Sequence, residues 1–116
     1  MNVSIQFLRG IYETTLPSIF LTKSQNGKTG TATFFFQNPS LFSEYNNSLY
    51  NIEHMLLIWE NKEIETKHIK IHFYNGKPKI IEGLFIFTSE IEWFQFFSFM
   101  RQYSKETGLF YQEKKK

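Results

Sequence analysis

The spacing of hydrophobic residues changes once along the chain, near residue 89, and this change constrains the fold more than any other feature. Before it, short runs rich in β-branched and aromatic residues alternate with turn signals, which is typical of strands. After it, apolar residues recur with the spacing of an amphipathic helix. The predicted fold class is therefore α+β: a mostly antiparallel, twisted β-sheet of about six strands in hairpins, with a long C-terminal helix packed on it. The predicted strands are Ser4–Arg9, Ile19–Ser24, Thr31–Gln37, Ile52–Trp59, Ile64–Tyr74 and Lys79–Thr88.

Turn residues separate the predicted strands. Asn26-Gly27 lies between two β-rich runs, which is the strongest short signal for a hairpin. Asn38-Pro39 ends that hairpin, because proline cannot donate a hydrogen bond to a strand ladder. Asn61-Lys62 and Asn75-Gly76 mark the later tight turns.

The strand Ile64–Tyr74 alternates with period two, which predicts one buried face and one face in water. The buried face is predicted to carry Ile69, Ile71 and Phe73. The face in water is predicted to carry Thr66, His68, Lys70 and His72.

The C-terminal helix has a predicted start and end. Ser89 and Glu92 form a capping-box pattern, and Gly108 suits the left-handed position after the last turn. The stripe predicted to face the core consists of Trp93, Phe96, Phe97, Met100 and Tyr103. Three large apolar residues fall outside this stripe, and we expect the C-terminal tail to cover them, although a partner surface is the alternative; they are Ile91, Phe94 and Phe99.

Length and composition limit the class of protein. A chain of 116 residues predicts one domain, over residues 1–112, followed by a basic tail over residues 113–116. The absence of cysteine excludes a disulfide scaffold and a cysteine-ligated metal site. A formal charge of +2 is too small to indicate nucleic-acid binding by itself. No window approaches the roughly 18 apolar residues of a membrane span.

The motifs that resemble catalytic or ligand-binding sites do not carry those functions. Gly27-Lys28-Thr29 lacks both the earlier glycine and the following helix of a phosphate-binding loop. His68 and His72 lie about 13 Å apart on a strand, which is too far to share a metal ion. We therefore predict no enzyme activity, no catalytic residue and no metal site.

Two other functions remain open from the residues alone. A single-stranded RNA-binding module could stack bases on Phe34, Phe35 or Phe36, although alternation sends Phe35 to the opposite face and core packing explains them better. A small-molecule-binding domain would require an apolar cavity between helix and sheet.

The backbone itself offers a binding site for a partner protein. An exposed sheet edge could accept a strand of the partner through main-chain hydrogen bonds.

Two sets of residues together form a pattern that extends over most of the chain, from about residue 4 to 110. The first set consists of the segment IQFLRGI at residues 5–11, Pro17 and LTKSQNGKTGTATF at residues 21–34. The second set lies in the later half, at Phe73, Asn75-Gly76-Lys77-Pro78, Ile81-Glu82, Trp93, Phe99-Met100-Arg101, Tyr103 and Gly108-Leu109. This pattern resembles one family of small photosystem II assembly factors, the Psb-twenty-eight or W-like proteins.

The resemblance implies a non-catalytic protein that binds photosystem II assembly intermediates transiently. Its implied partners are core subunits, the inner antenna subunit and the reaction-centre subunits near the acceptor-side quinone region. Its implied location is the plastid thylakoid membrane, peripheral on the stromal side, or the cytoplasmic side in a cyanobacterium. No cofactor, nucleic acid or small-molecule substrate is implied.

We expect the partner to contact the first hairpin and the segment before it. Arg9 is the best candidate for an exposed charged contact, although a partner within the domain is nearly as plausible. A strand of the partner is expected to add beside Thr31–Gln37 and Ile52–Trp59, although the hairpin residues could equally serve only to build the turn. The candidate interaction residues are Arg9, Gly10, Thr22, Lys23, Ser24, Gly27, Gly30, Thr31 and Thr33.

Overall fold

The computed structural model describes residues 3–44, 52–109 and 112–115. Strands make up most of the first three-quarters of the chain, and one long helix follows them. In order, the elements are β1 (Val3–Gln6), β2 (Ser18–Lys23), β3 (Gly30–Gln37), α1 (Ser40–Glu44), β4 (Met55–Trp59), β5 (Lys62–Thr66), β6 (His68–Tyr74), β7 (Lys77–Phe87), α2 (Glu90–Thr107) and β8 (Gln112–Lys115).

The strands of the described residues form two sheets. One has the order β1-β4-β5, and the other has the order β6-β7-β3-β2-β8. Among these strands, all pairings are antiparallel except that of β2 with β8. The α+β class, with a mostly antiparallel arrangement and a long C-terminal helix, is confirmed, although the strands divide between two sheets.

The division arises within the segment that the sequence predicts as one strand, residues 64–74. The chain leaves the first sheet at Thr66 and enters the second at His68. Thr66 is buried, and its hydroxyl donates to the carbonyl of Leu84 at 2.5 Å, so its predicted place in water is wrong. The predicted burial of Phe73 is also wrong: a register shift between His72 and Phe73 breaks the alternation, and Phe73 is exposed. Ile69 and Ile71 are partly buried against the core, as predicted.

The predicted limits of α2 are confirmed. The Ser89 hydroxyl accepts a hydrogen bond from the backbone N–H of Glu92 at 3.3 Å. Gly108 adopts a left-handed conformation with φ +76°, and its N–H donates to the carbonyl of Ser104 at 2.7 Å.

The buried face of α2 differs from the predicted stripe at Phe99. This residue is fully buried, with its ring 5.8 Å from that of Trp59 and 5.3 Å from that of Tyr103. Phe97, predicted in the stripe, is only partly buried. The helix contacts β1 and β4 as well as β7, and this second sheet contact rotates the buried face toward Phe99.

The core lies between the five-stranded sheet on one side and α2 with the three-stranded sheet on the other. Phe34 of β3 packs its ring edge against Phe96 of α2, with centroids 6.1 Å apart. The Sδ and Cε atoms of Met55 on β4 lie directly over the backbone of Gly83 on β7. Burying an apolar side chain of this size contributes about 2 kcal/mol to the free energy of unfolding.

The topology contradicts strand addition at the two predicted places. β3 lies between β2 and β7, and β4 lies between β1 and β5, so both are interior strands. Their backbone groups are already paired on both sides. The outer strands of the two sheets are β6 and β8, and β1 and β5.

The C-terminal segment does not cover the exposed residues of α2. β8 pairs in parallel with β2 at the edge of the five-stranded sheet. Ile91 and Phe94 remain 70% and 71% exposed, so the expected covering by the tail is wrong. Among residues 3–44, 52–109 and 112–115, no helix is long and apolar enough to cross a membrane.

Candidate interaction surface

The predicted hairpin joins β2 to β3 through residues 24–29, and two of the candidate residues, Ser24 and Gly27, build its turn. The N–H of Ser24 donates to the carbonyl of Thr29 at 2.9 Å, and the N–H of Gly27 donates to the carbonyl of Ser24 at 3.0 Å. Gly27 has φ +73°, a conformation that a residue with a side chain rarely adopts. Asn26 Oδ1 accepts from the Ser24 hydroxyl at 2.6 Å and from the N–H of Lys28 at 2.9 Å. Ser24 and Gly27 therefore have a structural role in the turn.

The three candidate threonines lie on one side of the five-stranded sheet, opposite the core. Thr22 pairs with Thr31 across β2 and β3, and their hydroxyl oxygens are 2.6 Å apart. Thr33 pairs with Phe20 on the same side. The alternate residues Leu21 and Ala32 point into the core, which fixes the threonines on the outside.

Apolar side chains continue this surface, which we call the sheet outer face. The rings of Phe20 and Phe35 meet edge to face with centroids 5.9 Å apart. Leu84 and Ile86 of β7 lie opposite Thr33 and Thr31 on β3, and Ile86 is 49% exposed. The sheet outer face comprises Phe20, Thr22, Thr31, Thr33, Phe35, Glu82, Leu84 and Ile86.

Sequence reasoning missed the apolar part of this face. The signal was present, because β2 and β7 contain consecutive apolar residues, such as Ile19-Phe20-Leu21, instead of a strict alternation. A continuous apolar run predicts that both faces of a strand make contacts.

Two candidate residues of the hairpin face the helix instead. The ammonium of Lys23 lies 5.8 Å from the ring centroid of Trp93 and 5.7 Å from that of Phe97, within the range of a cation–π contact. At Gly30, a Cβ would overlap the carbonyl of Thr22 and the indole of Trp93. Gly30 is therefore required by close packing of α2 against the hairpin.

The remaining two candidates, Arg9 and Gly10, lie in the turn that follows β1 of the other sheet. The Arg9 guanidinium donates to both carboxylate oxygens of Glu63, at 2.9 and 3.0 Å. This hydrogen-bonded pair raises the pKa of Arg9 and lowers the pKa of Glu63. The partner is within the domain, but the two side chains are 61% and 40% exposed, so the pair is on the surface. Gly10 has φ +93°, and its N–H donates to Gln6 Oε1 at 2.7 Å.

The features that would support another kind of site are weak in the described residues. His54 lies 3.8 Å from Glu65, and His72 lies 2.7 Å from Glu82, but residues 3–44, 52–109 and 112–115 contain no group of three metal-ligating side chains. Phe34 and Phe36 are fully buried, so they cannot stack on bases. A cleft of about 360 Å³ separates the end of β5 from α2, but it is lined by polar groups such as Glu65, Lys67 and Glu92.

Comparison with known proteins gives a consistent result. The family model described as Psb28 protein matches residues 5–111. The chain is 41% identical over 105 residues to the Photosystem II reaction center Psb28 protein of Guillardia theta, covering 90% of each chain. It is 44% identical over 105 residues to the protein of that name from Rippkaea orientalis, again covering 90% of each. It is 40% identical over 109 residues to the one from Phaeodactylum tricornutum, covering 94% of this chain and 95% of that protein.

Proposed function

Because the chain belongs to the Psb28 protein family, we propose that it is a non-catalytic photosystem II assembly factor. It binds assembly intermediates transiently, near the inner antenna subunit and the acceptor-side quinone region. It is peripheral to the thylakoid membrane, on its stromal side, and needs no cofactor. The observation that carries this proposal is the family match over residues 5–111, supported by the names of the relatives.

The sheet outer face is the surface that we propose for docking, together with the hairpin that ends it. It combines half-buried aromatic rings, threonine hydroxyls and the exposed side chain of Ile86. Mixtures of apolar and neutral polar groups are usual in protein–protein interfaces that form and dissociate. Aromatic residues such as Phe20 and Phe35 often carry much of the binding energy at such surfaces.

The candidate residues have different roles in this proposal. Thr22, Thr31 and Thr33 contact the partner directly, because they lie on the sheet outer face. Gly30 and Lys23 act indirectly, because they pack the hairpin onto α2. Arg9 belongs to a separate, weaker contact, in which a carboxylate of the partner competes with Glu63 for the guanidinium.

The proposed mechanism is steric. Docking over the stromal loops holds the acceptor side in an inactive geometry until assembly is complete. This requires that the protein bind the immature conformation more tightly than the mature one, since a ligand with equal affinity for two states shifts neither. Equal affinity for immature and mature complexes, with unchanged quinone exchange, would contradict the mechanism.

A pull-down from gently solubilised thylakoid membranes tests the function. A tagged chain should recover monomeric photosystem II intermediates that lack the oxygen-evolving subunits, identified by mass spectrometry. Recovery of only soluble stromal proteins or of RNA would overturn the proposal.

A pair of matched variants tests the docking surface. Ile86→Lys places a charge on the sheet outer face, whereas Leu16→Lys places one outside that face, in the cleft between β1 and α2, at similar exposure, 46% against 49%. Ile86→Lys should reduce recovery of the intermediates by about tenfold or more, as expected for a charge buried in an interface. Leu16→Lys should leave recovery unchanged. Equal effects of the two variants would exclude the sheet outer face as the docking surface.

A further inference from the structure

The side of α2 that faces away from both sheets carries two large apolar side chains in water. Ile91 and Phe94 are 70% and 71% exposed, more than any other large apolar residue in the described part of the chain. They lie one turn apart near the start of the helix. They do not belong to the sheet outer face, because that face lies on the opposite side of the core.

Positive charge follows on the same side of the helix. Arg101 and Lys105 are exposed, and at 100° per residue they fall within about 80° of Ile91 and Phe94 around the axis. Ser98 and Gln102 lie between them, but their side chains hydrogen-bond to Trp59 and Glu60 at the edge of the three-stranded sheet. We call the remaining set the helix outer face: Ile91, Phe94, Arg101 and Lys105.

Few acidic groups among the described residues oppose these two cations. Glu60, in the turn between β4 and β5, accepts a hydrogen bond from the amide of Gln102. Glu90 and Glu106 are exposed, but helical geometry places them at the margins of the face. A shallow cleft of about 620 Å³ remains between Glu60 and the helix, and Ser98, Arg101, Gln102 and Lys105 line it.

We propose that the helix outer face contacts the surface of an anionic lipid bilayer. Ile91 and Phe94 enter the boundary between headgroups and acyl chains, and Arg101 and Lys105 pair with lipid phosphates. Apolar and basic residues on one face, with the helix axis in the membrane plane, are the usual features of interfacial helices. Long basic side chains can reach the headgroups while their stems lie along apolar surface.

The size of the apolar patch favours a bilayer over a protein or a second copy of the chain. A stable protein interface buries about 800 Å² on each partner around an apolar centre. Two side chains at one end of a helix face that is otherwise polar supply much less than this. A bilayer requires no complementary shape, and a contact of this size would be weak and reversible.

Vesicle co-sedimentation of the full chain tests the proposal. The protein should sediment with vesicles of phosphatidylcholine mixed with phosphatidylglycerol, and much less with phosphatidylcholine alone. Ile91→Ser with Phe94→Ser should reduce the partition coefficient by about tenfold or more, because the inserted apolar area is lost. Arg101→Gln with Lys105→Gln should reduce it by about fivefold for each charge and remove the preference for anionic lipid.

Two control variants match these changes elsewhere on the surface. Phe73→Ser with Tyr74→Ser removes two exposed aromatic side chains from β6, which are 61% and 66% exposed. Lys77→Gln with Lys79→Gln removes two exposed charges from β7. Neither should change binding by more than about twofold, which is small against the fivefold expected for each charge on the helix outer face.

Three results would overturn the proposal. The first is no binding to anionic vesicles, and the second is equal loss in the control variants. The third is a dimer, detected by sedimentation velocity, that Ile91→Ser with Phe94→Ser abolishes, because the face would then bind a second copy. No photosystem II subunit is present in these experiments, so their failure would leave the proposed function untouched.

Discussion

The hydroxyl of Tyr103 on α2 is buried close to the carboxylate of Glu13, and it has no hydrogen-bond partner among the described residues. Both side chains line a small cleft of about 150 Å³ beside β1. Burial raises the pKa of Tyr103, and the negative charge of Glu13 raises it further. The phenol is therefore held neutral, at the cost of an unsatisfied polar atom.

Removing this hydroxyl should stabilise the protein. Tyr103→Phe keeps the ring that stacks on Phe99 and eliminates the unpaired oxygen. We expect the free energy of unfolding at neutral pH to rise by about 1 kcal/mol, because a buried hydroxyl without a partner is costly. Urea denaturation measures this, and a loss of stability would show that the hydroxyl makes a favourable contact.

The same residue predicts a dependence on alkaline pH. The pKa of Tyr103 is raised in the folded state, so the unfolded chain loses this proton first, near pH 10. The free energy of unfolding should therefore fall as the pH rises above about 10, and it should not change through Tyr103 below that value. In Tyr103→Phe this part of the fall should be absent, and an identical alkaline profile for the two proteins would contradict the prediction.

Glu13 should be a larger determinant of stability than its single charge suggests. It is 8% exposed, and it accepts hydrogen bonds from the N–H groups of Thr15, Ser40 and Leu41 and from the Ser40 hydroxyl, at 2.6–3.1 Å. Glu13→Ala leaves these donors without a partner, and we expect a loss of about 3 kcal/mol. Glu13→Gln keeps one oxygen acceptor and should lose about half as much.

An exposed glutamate provides the control for this series. Glu53→Ala should change the free energy of unfolding by no more than about 0.5 kcal/mol. Equal losses in Glu13→Ala and Glu13→Gln would indicate that charge, and not the number of acceptors, determines the effect.

Two glycines in strands should differ in their tolerance of alanine. At Gly30 the added methyl would meet the carbonyl of Thr22 and the indole of Trp93, and neither can move without disrupting the hairpin or the core. At Gly83 it would meet the Cε methyl of Met55 at 2.5 Å, and this flexible side chain can change its rotamer. We expect Gly30→Ala to cost about 3 kcal/mol or more and Gly83→Ala about 1 kcal/mol. Thermal unfolding compares the two, and the reverse order would contradict this account of the packing.

The start of α2 should contribute to stability in a pH-dependent way. Glu92 Oε1 accepts from the N–H of Thr88 at 2.6 Å and from its hydroxyl at 2.9 Å. These bonds lower the pKa of Glu92 in the folded protein. Its contribution to the free energy of unfolding is therefore complete above the pKa of a glutamate in the unfolded chain, near 4.3. The contribution is lost as the pH falls through the lower pKa of the folded protein. Glu92→Gln should lack this acid-sensitive part, whereas the exposed control Glu53→Gln should keep it.

Local signals in the sequence predicted α2 well because each acts through neighbouring residues. Ser89 and Glu92 interact across one turn, and Gly108 supplies a positive φ that does not depend on the rest of the fold. The break at Lys67 was not predictable in this way, because no glycine or proline marks it. It exists because Thr66 bonds to Leu84, a residue of another strand.

For the candidate interaction residues, the sequence predicts the side of the sheet on which a side chain lies, but not its contacts with residues far along the chain. Period-two alternation places Thr22, Thr31 and Thr33 on one side of the sheet, and they lie there. The contact of Lys23 with Trp93, and the pairing of Arg9 with Glu63, join residues far apart in sequence. One sequence contains no local signal for such pairs, so their roles required the folded structure.

The order of strand pairing also determines when the fold can form during synthesis. β2 and β3 can pair as a hairpin early in synthesis, soon after both have left the ribosome, because the two strands adjoin in sequence. β1 cannot pair until Trp59 has been made, and its apolar residues Val3 and Ile5 have no strand partner in the meantime. β2 gains its second neighbour only when Lys115 has been added. A nascent chain therefore carries apolar strands without their partners until late in synthesis, and exposed strands of this kind are prone to aggregate.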